Sequence, residues 1–384
     1  MKTMKTMKHV FYAGLTLMAL ASCSQEEIIN ADMNEAIGFR TSLGKTTRAE
    51  IKLNNLGSFN VTAFPTGEAN YFTNLKVSST DAGVTWKTAS VHYWPASTLN
   101  FTAYAPESIS KLVRIDKTAQ KITGFQVEQA VASQKDVVAA FNKGNQATYG
   151  ASGVPMNFKH ILSQIEVKAK CTNANLRVKV KGVKLGAIKS KGDFAFPQVE
   201  TNSRYTVPRT NWTGLSTPKD FLAEQRAGAS EVTLNGTAQS IMFGTDNFMM
   251  IPQKLEAFGK TKQAGAYIAV LCNISRKEGS GSYTGVYPGA ASTEYAFAAV
   301  GIDTDWQPGK KYIYTLEFGN NAVGNGGAGL VAPNQDNPNK VKVTTPKKPV
   351  SPYPHNSGDP ILGQPIKFKV TVDNWSDQTS AINM

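Results

Sequence analysis

Hydrophobic and polar residues alternate along much of this chain, which is the period-2 pattern of half-buried β-strands. The clearest alternating stretches are 36–43, 59–64, 99–105, 161–171 and 366–372. Gly, Pro, Asn and Asp separate most strand-like stretches at short intervals, as in sandwiches and Greek keys. Helix-period patterns are scarce, and only Pro218 to Gln225 is compatible with a helical turn or two. The pattern predicts an all-β protein.

The strands divide into two groups near His160. We expect an N-terminal β-sandwich domain over 49–160 and a C-terminal one over 161–384, since 384 residues suffice for two cores. The second domain includes a Gly-, Pro- and Asn-rich stretch, 320–359, which predicts a flexible linker, and a terminal strand over 365–375. Residues 324–329 match GxGxxG, but Pro333 and Asn334 exclude the helix that a dinucleotide site requires, so they form a loop.

The N-terminus has the pattern of an export signal. Three lysines precede Val10 to Leu20, an uncharged apolar run too short to span a bilayer, so 1–22 is predicted to be a signal peptide. Ala21, Ser22 and Cys23 then follow in the order of a bacterial lipobox. A diacylglycerol and an N-acyl chain on Cys23 would anchor the protein durably. The alternative is an ordinary signal peptide followed by an incidental cysteine.

A short strand follows the predicted lipid site. Ile37, Phe39, Thr41 and Leu43 share one face of this strand, and basic Arg48 lies five residues further on. Cleavage between Arg48 and Ala49 would make 23–48 a propeptide and would cut the strand off from the rest of the chain. Arg40 and Lys45 are also basic, so the position of the cut stays open.

A second strand follows the predicted linker. Ile366, Phe368, Val370 and Val372 alternate with polar residues. A well-formed strand after some forty residues of linker is unusual in a compact domain. One interpretation is that it completes the sheet of its own domain; the other is that it also pairs with the sheet of another molecule.

Charge and cysteine content narrow the function. The formal charge is +13, but Lys and Arg are spread along strands, and an exported lipoprotein meets little nucleic acid, so no nucleic-acid partner is expected. Cys171 and Cys272 lie in phase with apolar neighbours, so two buried thiols are favoured over a disulfide. There is no CxxC pair and no cluster of His with Cys, and we expect no metal and no cofactor.

Several motifs in a specific order resemble the fimbrillin family of Bacteroidales, which builds pili and pilus-like surface proteins. The resemblance covers nearly the whole chain. Its segments are 21–23, 37–41, 47–49, 58–64, 93–95, 157–165, 250–253, 306–310, 312–314 and 358–363, followed by 366–375. The tether 24–27, Ser-Gln-Glu-Glu, also resembles the acidic signals that send lipoproteins to the outer surface in Bacteroidetes.

The resemblance implies two transthyretin-like Greek-key β-sandwich domains and polymerisation by strand exchange. A lipoprotein precursor would reach the outer membrane surface, where an arginine-specific protease would cut at Arg48. The groove left by Ile37 to Leu43 would accept a strand from another fimbrillin-type subunit, with Ile366 to Val372 as the candidate donor. The resulting fimbrium would support adhesion to a host or bacterial surface receptor. A stalk, tip or anchor role stays open.

Two other functions compete with this interpretation. Catalysis is disfavoured, because His92 and His160 have no carboxylate or cysteine at a telling spacing. Asp303 and Asp305 flank a turn, and turn capping explains them more simply than acid–base work. A non-polymerising surface lipoprotein that binds a glycan or a host molecule is the stronger rival, since five tryptophans could supply stacking surfaces.

Overall fold

A computed structural model describes residues 35–43, 56–225, 227–244, 246–279, 281–319, 329–338, 344–362 and 367–374. Across these residues the chain forms 21 strands in three sheets, with little helix. The prediction of an all-β fold is confirmed. The finer description, two transthyretin-like Greek-key domains, stays a prediction.

The first sheet has seven strands and contains the N-terminal end of the described chain. Its strands are β1 (Phe39–Leu43), β2 (Ser58–Pro65), β3 (Phe72–Ser78), β4 (Lys87–Thr88), β5 (Leu99–Ala105), β8 (Val138–Gly144) and β9 (Val154–His160). Their order is β1-β9-β8-β5-β2-β3-β4. The first strand among the described residues therefore lies at one edge of the sheet.

The second sheet has nine strands and is built around one long strand, β11. Its strands are β6 (Val113–Ile115), β7 (Gln120–Gln126), β11 (Leu176–Ala195), β12 (Trp212–Glu224), β13 (Val232–Thr233), β16 (Tyr267–Lys277), β17 (Tyr283–Tyr287), β18 (Ala296–Gly301) and β20 (Leu330–Val331). The main path runs β20-β18-β16-β11-β7-β6, with β12 and β13 also on β11 and β17 on β16. The β6–β7 hairpin comes from the N-terminal half of the sequence, so this sheet joins both halves.

The third sheet has five strands and contains the C-terminal strand. Its members are β10 (Ser163–Cys171), β14 (Gln239–Ser240), β15 (Phe248–Met250), β19 (Lys310–Phe318) and β21 (Lys367–Asn374). The path is β14-β10-β19-β21, with β15 also on β10. In β10 from Ile165 onward every second side chain is buried, as the alternation over 161–171 predicted, and β19 has the same pattern from Tyr312 onward.

Helix is confined to short connections in the described chain. One α-helix, α1, spans Gln146–Tyr149, and 3-10 turns span Glu107–Leu112, Val131–Ser133 and Arg209–Asn211. The expected helical turn at Pro218 to Gln225 is wrong, because this segment belongs to β12 and pairs antiparallel with β11. Pairing between strands, together with a register shift between Leu185 and Ile188, determines the conformation there.

Apolar side chains from the sheets form two large cores. One lies on a single face of the seven-stranded sheet and includes Phe59, Phe101 and Phe158. The other joins the second and third sheets and also receives side chains from the opposite face of the first, such as Tyr104, whose ring lies 6.3 Å from that of Phe196. Strand β5 is consequently buried along its whole length.

The stretch 320–359 differs from the expected flexible linker where the structure describes it. Strand β20 pairs with β18, and Val331 and Ala332 are buried. Ile361 and Leu362, just beyond the stretch, are buried as well. The chain is therefore attached to the second sheet until shortly before β21. The GxGxxG match lies outside the described residues except for Gly329.

Cys171 and Cys272 are buried free thiols, as their phase in the sequence predicted. Burial raises the pKa of both thiols, because the thiolate would lose its hydration. We expect neither to react with a thiol-disulfide reagent in a native, lipid-free Cys23→Ser chain, since the thiolate is the reactive species. Both should react after denaturation. Rapid labelling of Cys272 in the native chain would contradict this burial.

Candidate functional site at two sheet edges

Strand β1 forms the edge of the seven-stranded sheet and runs parallel to β9. Phe39 pairs with Val154, and the register continues without a shift to Leu43 opposite Phe158. Just before the strand, the amide of Ile37 donates to the carbonyl of His92 at 2.8 Å. The segment is thus held along β9 and, at its start, by a second stretch of backbone.

The inward side chains of this segment complete the core of the first sheet. Ile37 and Phe39 are 3% and 7% exposed. The Phe39 ring lies edge-on, 6.0 Å between centroids, to the rings of both Phe59 and Phe101. Leu43 also packs against this core. Burying an aliphatic or aromatic side chain stabilises by about 1.5–3 kcal/mol, so these contacts hold an otherwise exposed edge strand in place.

The remaining side chains of β1 are polar and make fewer contacts. Arg40 donates from Nε to the carbonyl of Gly153 at 3.3 Å, and the Ser42 hydroxyl donates to the side-chain oxygen of Asn157. The Thr41 hydroxyl, in contrast, is buried among the described residues without a hydrogen-bond partner. A buried hydroxyl of this kind costs free energy relative to an apolar group of the same shape. β1 is therefore well but imperfectly matched to its groove.

Strand β21 forms the edge of the five-stranded sheet at the other end of the chain. It runs antiparallel to β19, from Lys367 opposite Glu317 to Asn374 opposite Lys310. Val370 packs against the core, whereas Val372 is 53% exposed. This strand is thus paired through its backbone but only lightly buried where its side chains are described.

The two edge strands have closely matched sequences. Residues 37–43 read Ile-Gly-Phe-Arg-Thr-Ser-Leu, and residues 366–372 read Ile-Lys-Phe-Lys-Val-Thr-Val. Ile and Phe recur at the first and third positions, a basic residue at the fourth, a β-branched residue at the fifth and a hydroxyl at the sixth. Such a match gives both strands the same apolar face, which is what one groove would recognise.

Residues 329–338, which precede β21 by some thirty positions, are fixed by a buried ion pair that the sequence did not reveal. The fully buried Lys184 donates to the carbonyls of Asn334 and Asp336 at 2.7 and 3.2 Å, and its Nζ lies 3.4 Å from Asp220. Burial lowers the pKa of Lys184, and the negative charge of Asp220 opposes that shift. Asp220 also accepts from the Tyr267 hydroxyl at 3.2 Å.

The residues considered for catalysis make contacts that hold parts of the fold together. Nδ1 of the buried His160 lies 2.8 Å from Oδ2 of Asp136, a pair that spacing along the sequence did not suggest. It joins the start of β8 to the end of β9. Asp305 forms an ion pair with Arg209 at 2.9 Å, and the carbonyl of Asp303 accepts from Lys254. These contacts connect loops and strand ends to one another.

Three of the tryptophans weighed as stacking surfaces are buried. Trp94 and Trp212 are each 5% exposed, and Trp306 is fully enclosed. The indole of Trp212 donates to the carbonyl of Ile161 at 2.7 Å, and that of Trp306 to the Tyr314 hydroxyl at 2.9 Å. None of these three rings offers a face to a glycan. Trp86 is partly buried, and Trp375 lies outside the described residues.

The described part of the chain contains neither a candidate metal centre nor a candidate membrane-spanning helix. No group of three or more His, Cys, Asp and Glu residues there has the arrangement of a metal site. No helix among those residues is both long and apolar enough to cross a membrane.

Some predicted site residues lie outside the described residues. These are Cys23, Arg48, Ala49 and Ile366. The described candidates fall at the edges of two different sheets: Ile37, Phe39, Thr41 and Leu43 in or next to β1, and Phe368, Val370 and Val372 in β21. Their roles as removable and donor strands stay predictions. The match between the two strands was readable from the sequence, whereas their positions at two sheet edges were not.

The fold and this site define a class of protein: an all-β chain in which one sheet edge is formed by the N-terminal segment and another by the C-terminal strand. A fimbrillin-like family matches residues 47–333, well over half of the sequence. The chain belongs to the fimbrillin-like family. No curated protein matches it.

The similarity to one solved structure supports the fold. A fimbrial protein from Bacteroides vulgatus is similar with a TM-score of 0.51 at 15% identity, covering 89% of this chain and 100% of that chain. The tip fimbrial protein Mfa3 from Porphyromonas gingivalis, with a C-terminal truncation, gives a TM-score of 0.41 at 8% identity, covering 88% and 100%. The family supports a pilus-type or adhesive role at the cell surface, and it points to a structural rather than an enzymatic protein.

Proposed function

We propose that this protein is a fimbrial subunit that polymerises by strand exchange after proteolytic removal of β1. The observation that carries the proposal is the position of β1. It lies at a sheet edge, contributes Ile37 and Phe39 to the core, and precedes the basic residues Lys45 and Arg48. A cut there would leave β1 attached only by noncovalent contacts, while the seven-stranded sheet would keep its other six strands.

The lipid and the protease have complementary roles in this scheme. Diacylglycerol and N-acyl chains on Cys23 would hold the precursor at the outer membrane surface until an arginine-specific protease cuts between Arg48 and Ala49. Loss of 23–48 would then release the lipid anchor and the edge strand together. The body that remains comprises the proposed domains 49–160 and 161–384. Its partners would be fimbrillin-type subunits and a host or bacterial surface receptor.

Strand addition to the open edge is physically favourable. Removal of β1 would leave backbone groups of β9 without strand partners and would expose the aromatic surface of Phe59 and Phe101 that Phe39 now covers. An incoming strand with the same apolar spacing would restore both the hydrogen bonds and the buried contacts. The C-terminal strand has this spacing at Ile366 and Phe368.

The test uses lipid-free full-length precursor treated with an arginine-specific protease. We expect a single early cut after Arg48, found by intact mass, followed by SDS-resistant ladders. Arg48→Ala should prevent both events, whereas Arg40→Ala serves as the matched control and should prevent neither. Deleting 365–384 should allow the cut and abolish the ladders. Trimmed protein that stays monomeric would contradict the proposal and favour an anchor, a tip adhesin or a stand-alone surface binder.

A further inference from the structure

We propose that the groove on β9 binds the C-terminal strand of a second copy more tightly than the chain's own N-terminal strand. This preference rests on the proposed function, and it states which of the two strands occupies the groove when both are available. Three features of β1 and β9 carry it: the site of Thr41, the polar contact at Asn157, and Lys159, the next residue of β9 after those paired with β1.

The matching sequences determine how the second strand would enter. Aligned in the direction of β1, Phe368 takes the position of Phe39, between the rings of Phe59 and Phe101. Aligned in the opposite direction, Val370 would fall at that aromatic pocket and leave part of it empty, which is costly. The incoming strand therefore runs parallel to β9, as β1 does.

The site of Thr41 favours the incoming strand. The Thr41 hydroxyl is buried without a hydrogen-bond partner in the described structure, and the aligned residue is Val370. Valine has the shape of threonine with a methyl group in place of the hydroxyl. The exchange would remove an unsatisfied polar atom from the groove without changing the packed volume.

Two further residues of the incoming strand affect binding. One keeps a contact that β1 makes, and the other adds a contact. Thr371 aligns with Ser42 and supplies a hydroxyl for Asn157. One residue further, Asp373 aligns in sequence with Gly44, and the register of the incoming strand, continued past Phe158, would bring it opposite Lys159. Within the described structure Lys159 has no carboxylate partner, and burial lowers its pKa. A carboxylate directly across from it would form a cross-strand pair of opposite charge, which glycine cannot do.

The free-energy cost of detaching β21 from its own sheet is small because of where the strand lies. Val372 is 53% exposed in β21, and Thr371 and Asp373 are exposed as well. The chain before the strand is attached through the buried Ile361 and Leu362, so only the segment beyond Leu362 needs to move. From Lys369 to Asp373 the strand would leave a lightly buried edge for a groove that encloses its apolar face.

Two eight-residue peptides test the preference. One has the sequence of 366–373 and the other that of 37–44; each is added in increasing amounts while the protease cuts the precursor, and inhibition of ladder formation is measured. We expect the 366–373 peptide to inhibit at about tenfold lower concentration, since each unsatisfied buried polar group weakens binding by that order. A reversed 366–373 peptide has the same composition and charge, and should inhibit weakly.

Single substitutions show which positions of the two strands are responsible for the preference. Val370→Thr should weaken the 366–373 peptide, and Thr41→Val should strengthen the 37–44 peptide by a similar factor. Asp373→Asn should weaken binding severalfold at low salt but have no effect on a Lys159→Ala chain. Equal inhibition by both parent peptides would overturn the preference while leaving strand exchange intact. Ladders that neither peptide inhibits would show that subunits meet elsewhere, which contradicts the proposed function itself.

Discussion

Replacing Phe39 with alanine should loosen β1 from its groove without unfolding the rest of the first sheet. Truncating a buried Phe to Ala costs about 3–5 kcal/mol through lost contacts and the cavity left behind. Here the ring contacts Phe59 and Phe101 at an edge strand, so the cost should appear as local opening. Hydrogen exchange of the β9 amides, read by mass spectrometry, should become about 100-fold faster or more. The amide of Val154, which donates to Gly38 at 2.8 Å, reports this directly.

Arg40→Ala is the matched control for that experiment. Arg40 is the next residue in the same strand, but its side chain is exposed and makes one backbone contact at 3.3 Å. Surface changes of this kind usually alter stability by no more than about 0.5 kcal/mol. Unchanged β9 exchange in Phe39→Ala, or equal acceleration in both variants, would mean that the apolar face does not hold the strand.

Replacing Asp220 with alanine should strongly destabilise the second sheet. Removing one partner of a buried ion pair costs about 3–5 kcal/mol, because the other charge stays buried without compensation. Lys184 would keep the carbonyls of Asn334 and Asp336 and the face of the Phe297 ring but no carboxylate at Asp220, and the Tyr267 hydroxyl would lose its acceptor. At about 2–4 °C per kcal/mol for a domain of 150–250 residues, thermal melting should shift down by about 6–20 °C.

Two variants serve as comparisons for Asp220→Ala. One breaks an ion pair on the surface, and the other replaces Lys184, the second member of the buried pair. Glu256→Ala breaks the exposed pair with Lys262 and should change the melting temperature little, because water screens this pair. Lys184→Met should cost less than Asp220→Ala, because it removes the buried cation while Asp220 keeps its bonds from Ala187 and Asn334. A melting temperature for Asp220→Ala within 2 °C of the Glu256→Ala value, about the effect of 1 kcal/mol, would contradict the structural role of this pair.

The fold was largely predictable where side-chain alternation is local. The segments at 39–43, 99–105, 163–171 and 367–374 are strands at nearly their expected bounds. Pro218 to Gln225 was misassigned because its pattern is short and its strand character comes from pairing with β11. Residues 329–338 resembled a linker because few of them are apolar. They are held instead by Lys184 and by pairing with β18, contacts that no window of the sequence contains.

The candidate site was predictable in part for the same reason. Alternation identified the apolar faces of both terminal strands, and the match between their sequences can be read directly. Two features could not be predicted from the sequence: the pairing of Asp136 with His160, and the position of Lys159 in β9, one residue past the segment that pairs with β1. These depend on which strands become neighbours.

The sequence alone determined that this is an all-β chain of the fimbrillin type with a matched strand near each end, because strand character follows from a period of two residues. Only the tertiary structure decided that these strands lie at the edges of two different sheets, and that β1 is parallel to β9. It also placed the Phe39 ring against Phe59 and Phe101. The physical reason is that edge position, direction and register arise from packing and hydrogen bonds between residues far apart in the chain.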